Sequence, residues 1–115
     1  MAMLRIALVA AACLLSVSSR VAGGVSGDEW LASCTGRGSG HTFCVAYARG
    51  LADAFLLWRI MDPVSVPACI PEEVDGLQLV VAGQRFMAKT KKEHYDGDAL
   101  SLLLLAFSQA WPCKR

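Results

Sequence analysis

Cys34, Cys44, Cys69 and Cys113 constrain this chain more than any other feature. None has a neighbour at the close spacing of a zinc knuckle, and His41 and His94 are the only imidazoles that could complete a metal site. An even number of such cysteines in a short chain implies a disulfide framework, provided the chain reaches an oxidising compartment. The fifth cysteine, Cys13, lies in the segment that supplies that condition.

The chain opens "MAMLRIALVAAACLLSVSSRVAGG". Arg5 precedes an apolar run from Ile6 to Val17, and small residues follow at Val21-Ala22-Gly23. The run falls short of the ~20 helical residues needed to cross a bilayer. A basic start, a short apolar stretch and a small-residue cleavage site form a secretory signal peptide. Residues 1–23 are therefore expected to be removed, leaving one domain over 24–115 and a periplasmic location. Lipidation at Cys13 is disfavoured, because Ala10 stands where a large aliphatic residue is usual. Losing Arg5 and Arg20 leaves nine basic residues (11 − 2) against ten acidic ones. So near-neutral a balance gives no field for gripping nucleic acid.

The remaining chain reads as helices. Ser26 can cap a first helix of about two turns carrying Trp30, Leu31 and Cys34, with Glu29 completing a capping box. The glycine-rich "TGRGSG", Thr35 to Gly40, stops it. From Phe43 to Trp58, Cys44, Tyr47, Ala48, Leu51, Phe55 and Trp58 fall at three- and four-residue steps, which predicts a core-facing helical stripe. Ala46, Gly50 and Ala54 recur every fourth residue on another face, where close approach of a second helix would offset the ~1 kcal/mol cost of a mid-helix glycine. Arg49 and Asp53 are spaced to pair on the surface. Three prolines between Asp62 and Pro71 forbid helix there. A third helix starts after Asp75 and runs to about Lys89, with Leu77, Val80, Val81 and Met87 as its apolar side and Gly83 allowing close approach. A polar loop follows, and a fourth helix runs from its cap at Asp98 to Trp111. Being apolar almost all round, this last helix is expected at the centre of a bundle. It is too short to span a membrane.

The fold class is thus all-α: a small disulfide-stapled bundle of about four helices behind a signal peptide. At this size burial and ordering entropy nearly cancel, so covalent ties matter. Helices three and four, of similar length and joined by a short loop, should lie antiparallel. That brings Cys113 back beside Cys69, and leaves Cys34 to pair with Cys44 across the glycine loop. Cys34–Cys69 with Cys44–Cys113 stays open, since spacing alone does not determine connectivity.

The order of three fragments now matters: Cys44-x-x-Tyr47-x-x-Gly50-x-x-Asp53, then Cys69-Ile70-Pro71, then Trp111-Pro112-Cys113. Together they resemble the Rap/Tai family of exported immunity proteins from bacteria that use type VI secretion. The resemblance runs from about Trp30 to Cys113. It implies a helical, disulfide-bonded periplasmic protein, often a homodimer, whose partner is a secreted amidase effector that cuts peptidoglycan peptides. The shared residues Tyr47, Gly50, Asp53, Pro71 and Pro112 look structural in that family, so no contact residue carries over by motif.

The surface expected to meet such a partner is Lys91, Lys92, Glu93, His94 and Tyr95, since loops carry specificity and tyrosine is a frequent interface anchor. Other readings are an acid-stress holdase chaperone of the periplasm, a purely structural helical domain, and a domain whose apolar helix opens toward lipid. An enzyme would need Cys44 and His41 as a nucleophile pair, but four cysteines in an oxidising compartment most simply bond one another. No catalytic residue, metal or cofactor is expected.

Overall fold

The structure, a computed structural model, describes residues 24–94 and 97–114. The leader expected over 1–23, its Cys13, and Tyr95 of the candidate loop lie outside the described residues. The described residues form four α-helices in order: α1 (Gly27–Thr35), α2 (Ser39–Met61), α3 (Gly76–Lys89) and α4 (Ala99–Ala110), with a 3-10 turn at Lys92–His94. Among the described residues there is no strand, only one isolated antiparallel bridge between Ser26 and Asp98.

Polar side chains start three of the helices. The Ser26 hydroxyl accepts the Glu29 N–H at 3.2 Å, the hydroxyl half of the expected box. Asp75 and Gln78 form the complete reciprocal box, with both bonds at 2.8 Å. Asp98 accepts the Leu100 N–H. Such caps satisfy donors that a helix cannot satisfy itself, each worth ~1 kcal/mol.

Helix α2 begins at Ser39, four residues before the Phe43 start expected from periodicity. Gly38 precedes it at φ 65°, a left-handed conformation that favours glycine, and its carbonyl accepts both the Thr42 N–H and the Thr42 hydroxyl. The tail of the glycine-rich stretch is therefore a tight start for the helix. At the other end, the Asp62 N–H closes on the Trp58 carbonyl at 2.7 Å, and Pro63 follows. The Asp62 carboxylate then accepts the Ser65 hydroxyl at 2.7 Å, and that bond holds its carboxyl below the usual carboxylate range. The connector is pinned from its first residues, and Val66 and Ala68 within it are buried.

Helix α1 packs on α2, α2 on α3 and α3 on α4. Trp30, Leu79, Met87, Leu103 and Phe107 are buried at the centre. Phe55 of α2 meets Phe107 of α4 edge-on, with ring centroids 6.3 Å apart.

Three expectations are corrected. Leu77 and Val81 of α3 are 59 % and 41 % exposed, while Leu79, Val80, Gly83 and Met87 face inward. The core lies on the neighbouring side of the helix, a shift that overlapping apolar steps cannot reveal. Helix α4 is not enclosed: Leu100 and Leu105 stand on an outer face, because a domain this small cannot surround every helix. Finally, Ala46, Gly50 and Ala54 are all exposed, and a Cβ built on Gly50 meets nothing within 4 Å. Among the described residues no other helix approaches there.

The close approach occurs at Gly83. A Cβ at that position would come within 2.6 Å of Leu103 Cδ2 and 2.7 Å of the Trp30 ring. Gly83→Ala and Gly50→Ala both gain about 1 kcal/mol of helix propensity. Only the first overpacks the core, so the two variants should differ by the packing cost alone, about 1–3 kcal/mol. Urea denaturation at concentrations where the chain is monomeric checks this. Equal stabilities would remove Gly83 from its packing role.

Candidate binding surface

The rigid frame comes first. Disulfides join Cys34 to Cys44, with Cα atoms 5.0 Å apart, and Cys69 to Cys113, with Cα atoms 4.9 Å apart. The first ties the end of α1 to the first turns of α2. The second ties the connector to the residues after α4, where the Cys69 N–H also donates to the Trp111 carbonyl at 2.9 Å. Pro71 and Pro112 flank this second tie and are exposed. With the Cys44 sulfur bonded and its side chain fully buried, Cys44 and His41 cannot act as a thiolate–imidazole pair. Among the described residues no group of three acidic, histidine or cysteine side chains is placed to hold a metal ion. Nor is any described helix long and apolar enough to cross a membrane.

Tyr47 is half-buried on α2, where burial, and then the negative charge of Asp98, push its phenol up from 10.0. Arg49 Nε lies 3.3 Å from Asp53 Oδ1, and Arg49 Nη1 also donates to the Val74 carbonyl at 3.2 Å. The Arg49–Asp53 pair therefore also braces the segment leading into α3. As an exposed pair its ionic part is worth at most ~1 kcal/mol.

Lys91, Lys92 and Glu93 are exposed directly after α3, and the 3-10 turn holds Lys92 and Glu93 beside each other. Downstream the segment is anchored: Gly27 N–H donates to the Gly97 carbonyl at 2.9 Å, and Ala99 N–H to the Val25 carbonyl at 2.8 Å. The candidate loop is thus held between the end of α3 and a short backbone pairing with the amino-terminal segment.

Alongside it runs an open groove of about 720 Å³ between α3 and α4. Leu77, Val81 and Phe86 line one wall, and Trp111 closes the far end. Arg85 and Lys89 stand on the α3 rim at the end nearest the loop. Sequence reasoning missed this groove, having assigned Leu77 and Val81 to the core. The signal that could have exposed it is the four-residue series Leu77, Val81, Arg85, Lys89, which turns basic halfway along one face.

A family model described as Rap1a immunity proteins covers residues 26–113, nearly all of the described chain. No curated protein and no solved structure matches.

Proposed function

Because the chain belongs to the Rap1a immunity-protein family, we propose that it acts in the periplasm by binding a peptidoglycan amidase effector of type VI secretion and covering its active cleft. The family match across residues 26–113 carries this reading. The mechanism is steric, and it needs a surface that keeps its shape without the partner. The exposed Lys91-Lys92-Glu93 segment, braced on both sides and continued by His94 and Tyr95, is the surface offered to the cleft. Preorganisation of this kind lowers the entropy cost of docking.

The direct test is to mix the processed protein with the peptidoglycan amidase effectors secreted by its own bacterium. Expected are a stable complex and loss of peptidoglycan hydrolysis; no complex at micromolar concentration overturns the proposal. Lys91→Glu with Lys92→Glu should slow association by about tenfold or more at low salt, with the gap closing as salt rises. Stopped-flow mixing at two ionic strengths measures it.

A homodimer is the second part of the proposal. The outer face of α2 carries Phe43, Ala46, Gly50, Ala54, Leu57 and Met61, all exposed. Two antiparallel copies centred on Gly50 set Phe43 opposite Leu57 and Ala46 opposite Ala54, a self-complementary register of the kind a two-fold interface requires. Gly50→Leu should leave the monomer folded, since nothing among the described residues lies within 4 Å of a Cβ at that position, yet dissociate the dimer. Sedimentation showing an unchanged dimer, or a wild-type monomer at tens of micromolar, rules this face out.

A further inference from the structure

We infer that the groove between α3 and α4 is a docking site for an amphipathic helix of a partner protein, with acidic side chains at the end that meets Arg85 and Lys89. This deepens the immunity reading and rests on it only for the identity of the partner.

The groove changes character along its length. At one end Leu77 and Val81 hold apolar surface in solvent at 59 % and 41 % exposure, and Trp111 also lines the groove, while Phe86 lines it next to Arg85. At the other, Arg85 and Lys89 project from the same helix one turn apart. No carboxylate among the described residues pairs with either cation. Lys89 in the last turn of α3 also favours the helix dipole, but Arg85 lies a turn further in, where that effect has faded. The acidic residue lining the groove, Asp75, is at the opposite end and already caps α3. An occupant therefore needs apolar side chains over Leu77 and Val81 and carboxylates beside Arg85 and Lys89.

Shape selects a helix. An antiparallel helix pair presents a trough that a third helix fills by ridge-into-groove packing. Helix α3 has 14 residues, so the trough is ~21 Å long, enough for about four turns. A second copy of this chain fits poorly. The outer face of its long α2 is apolar but offers only Asp53, which is paired with Arg49, and the acidic first turn of α1 belongs to a nine-residue helix. The groove also adjoins the Lys91–Glu93 segment, so one partner can engage both.

Two arms test the site separately from the immunity reading. In the first, the processed chain is titrated with a synthetic 14-residue helical peptide bearing leucines on one face and glutamates at one end, and with its lysine-for-glutamate twin. Fluorescence anisotropy should give binding of the glutamate peptide at least tenfold tighter than its twin. Arg85→Glu with Lys89→Glu should reverse that preference, and Leu77→Ser with Val81→Ser should weaken both peptides about tenfold. In the second arm, the amidase effector is mixed with the wild type and with the Arg85→Glu, Lys89→Glu variant, and at least tenfold weaker binding to the variant is expected. If the amidase binds both equally, the groove assignment fails while the immunity proposal stands. If it binds neither, the immunity proposal fails and the peptide pair alone decides the groove. Equal affinity for the two peptides, binding of neither, or a dimer lost specifically in Leu77→Ser, Val81→Ser overturns the assignment.

Discussion

Trp30→Ala is expected to lower the unfolding free energy by about 3–5 kcal/mol, the range for deleting a buried large aromatic side chain. Trp30 is fully buried, although it sits on a helix of nine residues that could not hold itself together alone. Its ring fills the space that Gly83 leaves open, and its Nε1 donates to the Cys44 carbonyl at 3.1 Å. Truncation removes a core contact between α1 and α3 and a hydrogen bond from α1 to α2 at the same time. A domain of this size has roughly 5–13 kcal/mol in hand, so the variant should be partly unfolded at 37 °C. Urea denaturation with disulfides intact measures the loss. A change below about 1.5 kcal/mol would mean that α1 is held chiefly by its disulfide.

The second large effect belongs to the Cys69–Cys113 bridge. It closes a sequence separation of 44 residues, against 10 for Cys34–Cys44. In the chain-entropy account the longer loop contributes about 4 kcal/mol and the shorter about 2.7. Cys69→Ala with Cys113→Ala should therefore cost about 2–5 kcal/mol, and a melting temperature lower by some 10–30 °C follows for a domain of this length. The local consequence is specific. Without the bridge, the Cys69 N–H bond to the Trp111 carbonyl still ties connector to chain end, and Trp111 closes the groove. Calorimetry gives the global loss, and indole fluorescence should report a looser Trp111 before global unfolding. An unchanged melting temperature would show that burial alone holds the end of α4.

The elements were legible because their boundaries are chemical. Ser26, Asp75 and Asp98 cap helices through their own oxygen atoms, and Pro63 and Pro112 end them by lacking an N–H. Gly38 was harder to read, because a glycine that permits flexibility and one that sets a left-handed start look alike in a sequence. The surfaces were less legible still. Periodicity reveals that a helix has an apolar side, not what covers it. On α3 the inward residues are Leu79, Val80, Gly83 and Met87, while Leu77 and Val81 open onto the groove. On α2 the cost of Gly50 suggested an internal neighbour, but that neighbour belongs to Gly83 instead. The loop at Lys91 to Tyr95 is proposed from composition and chain position, which carry no information about the bracing at its two ends.

That bracing has a practical side. The bridge between Ser26 and Asp98 puts the first described residues alongside the base of the loop. A leader left uncut, an affinity handle or a fluorescent reporter placed ahead of Gly24 would crowd that base and shade the lysines from a visiting protein. Lys114, exposed beyond the other end of α4 and some 18 Å away along a helix of 12 residues, is the better place for any attachment.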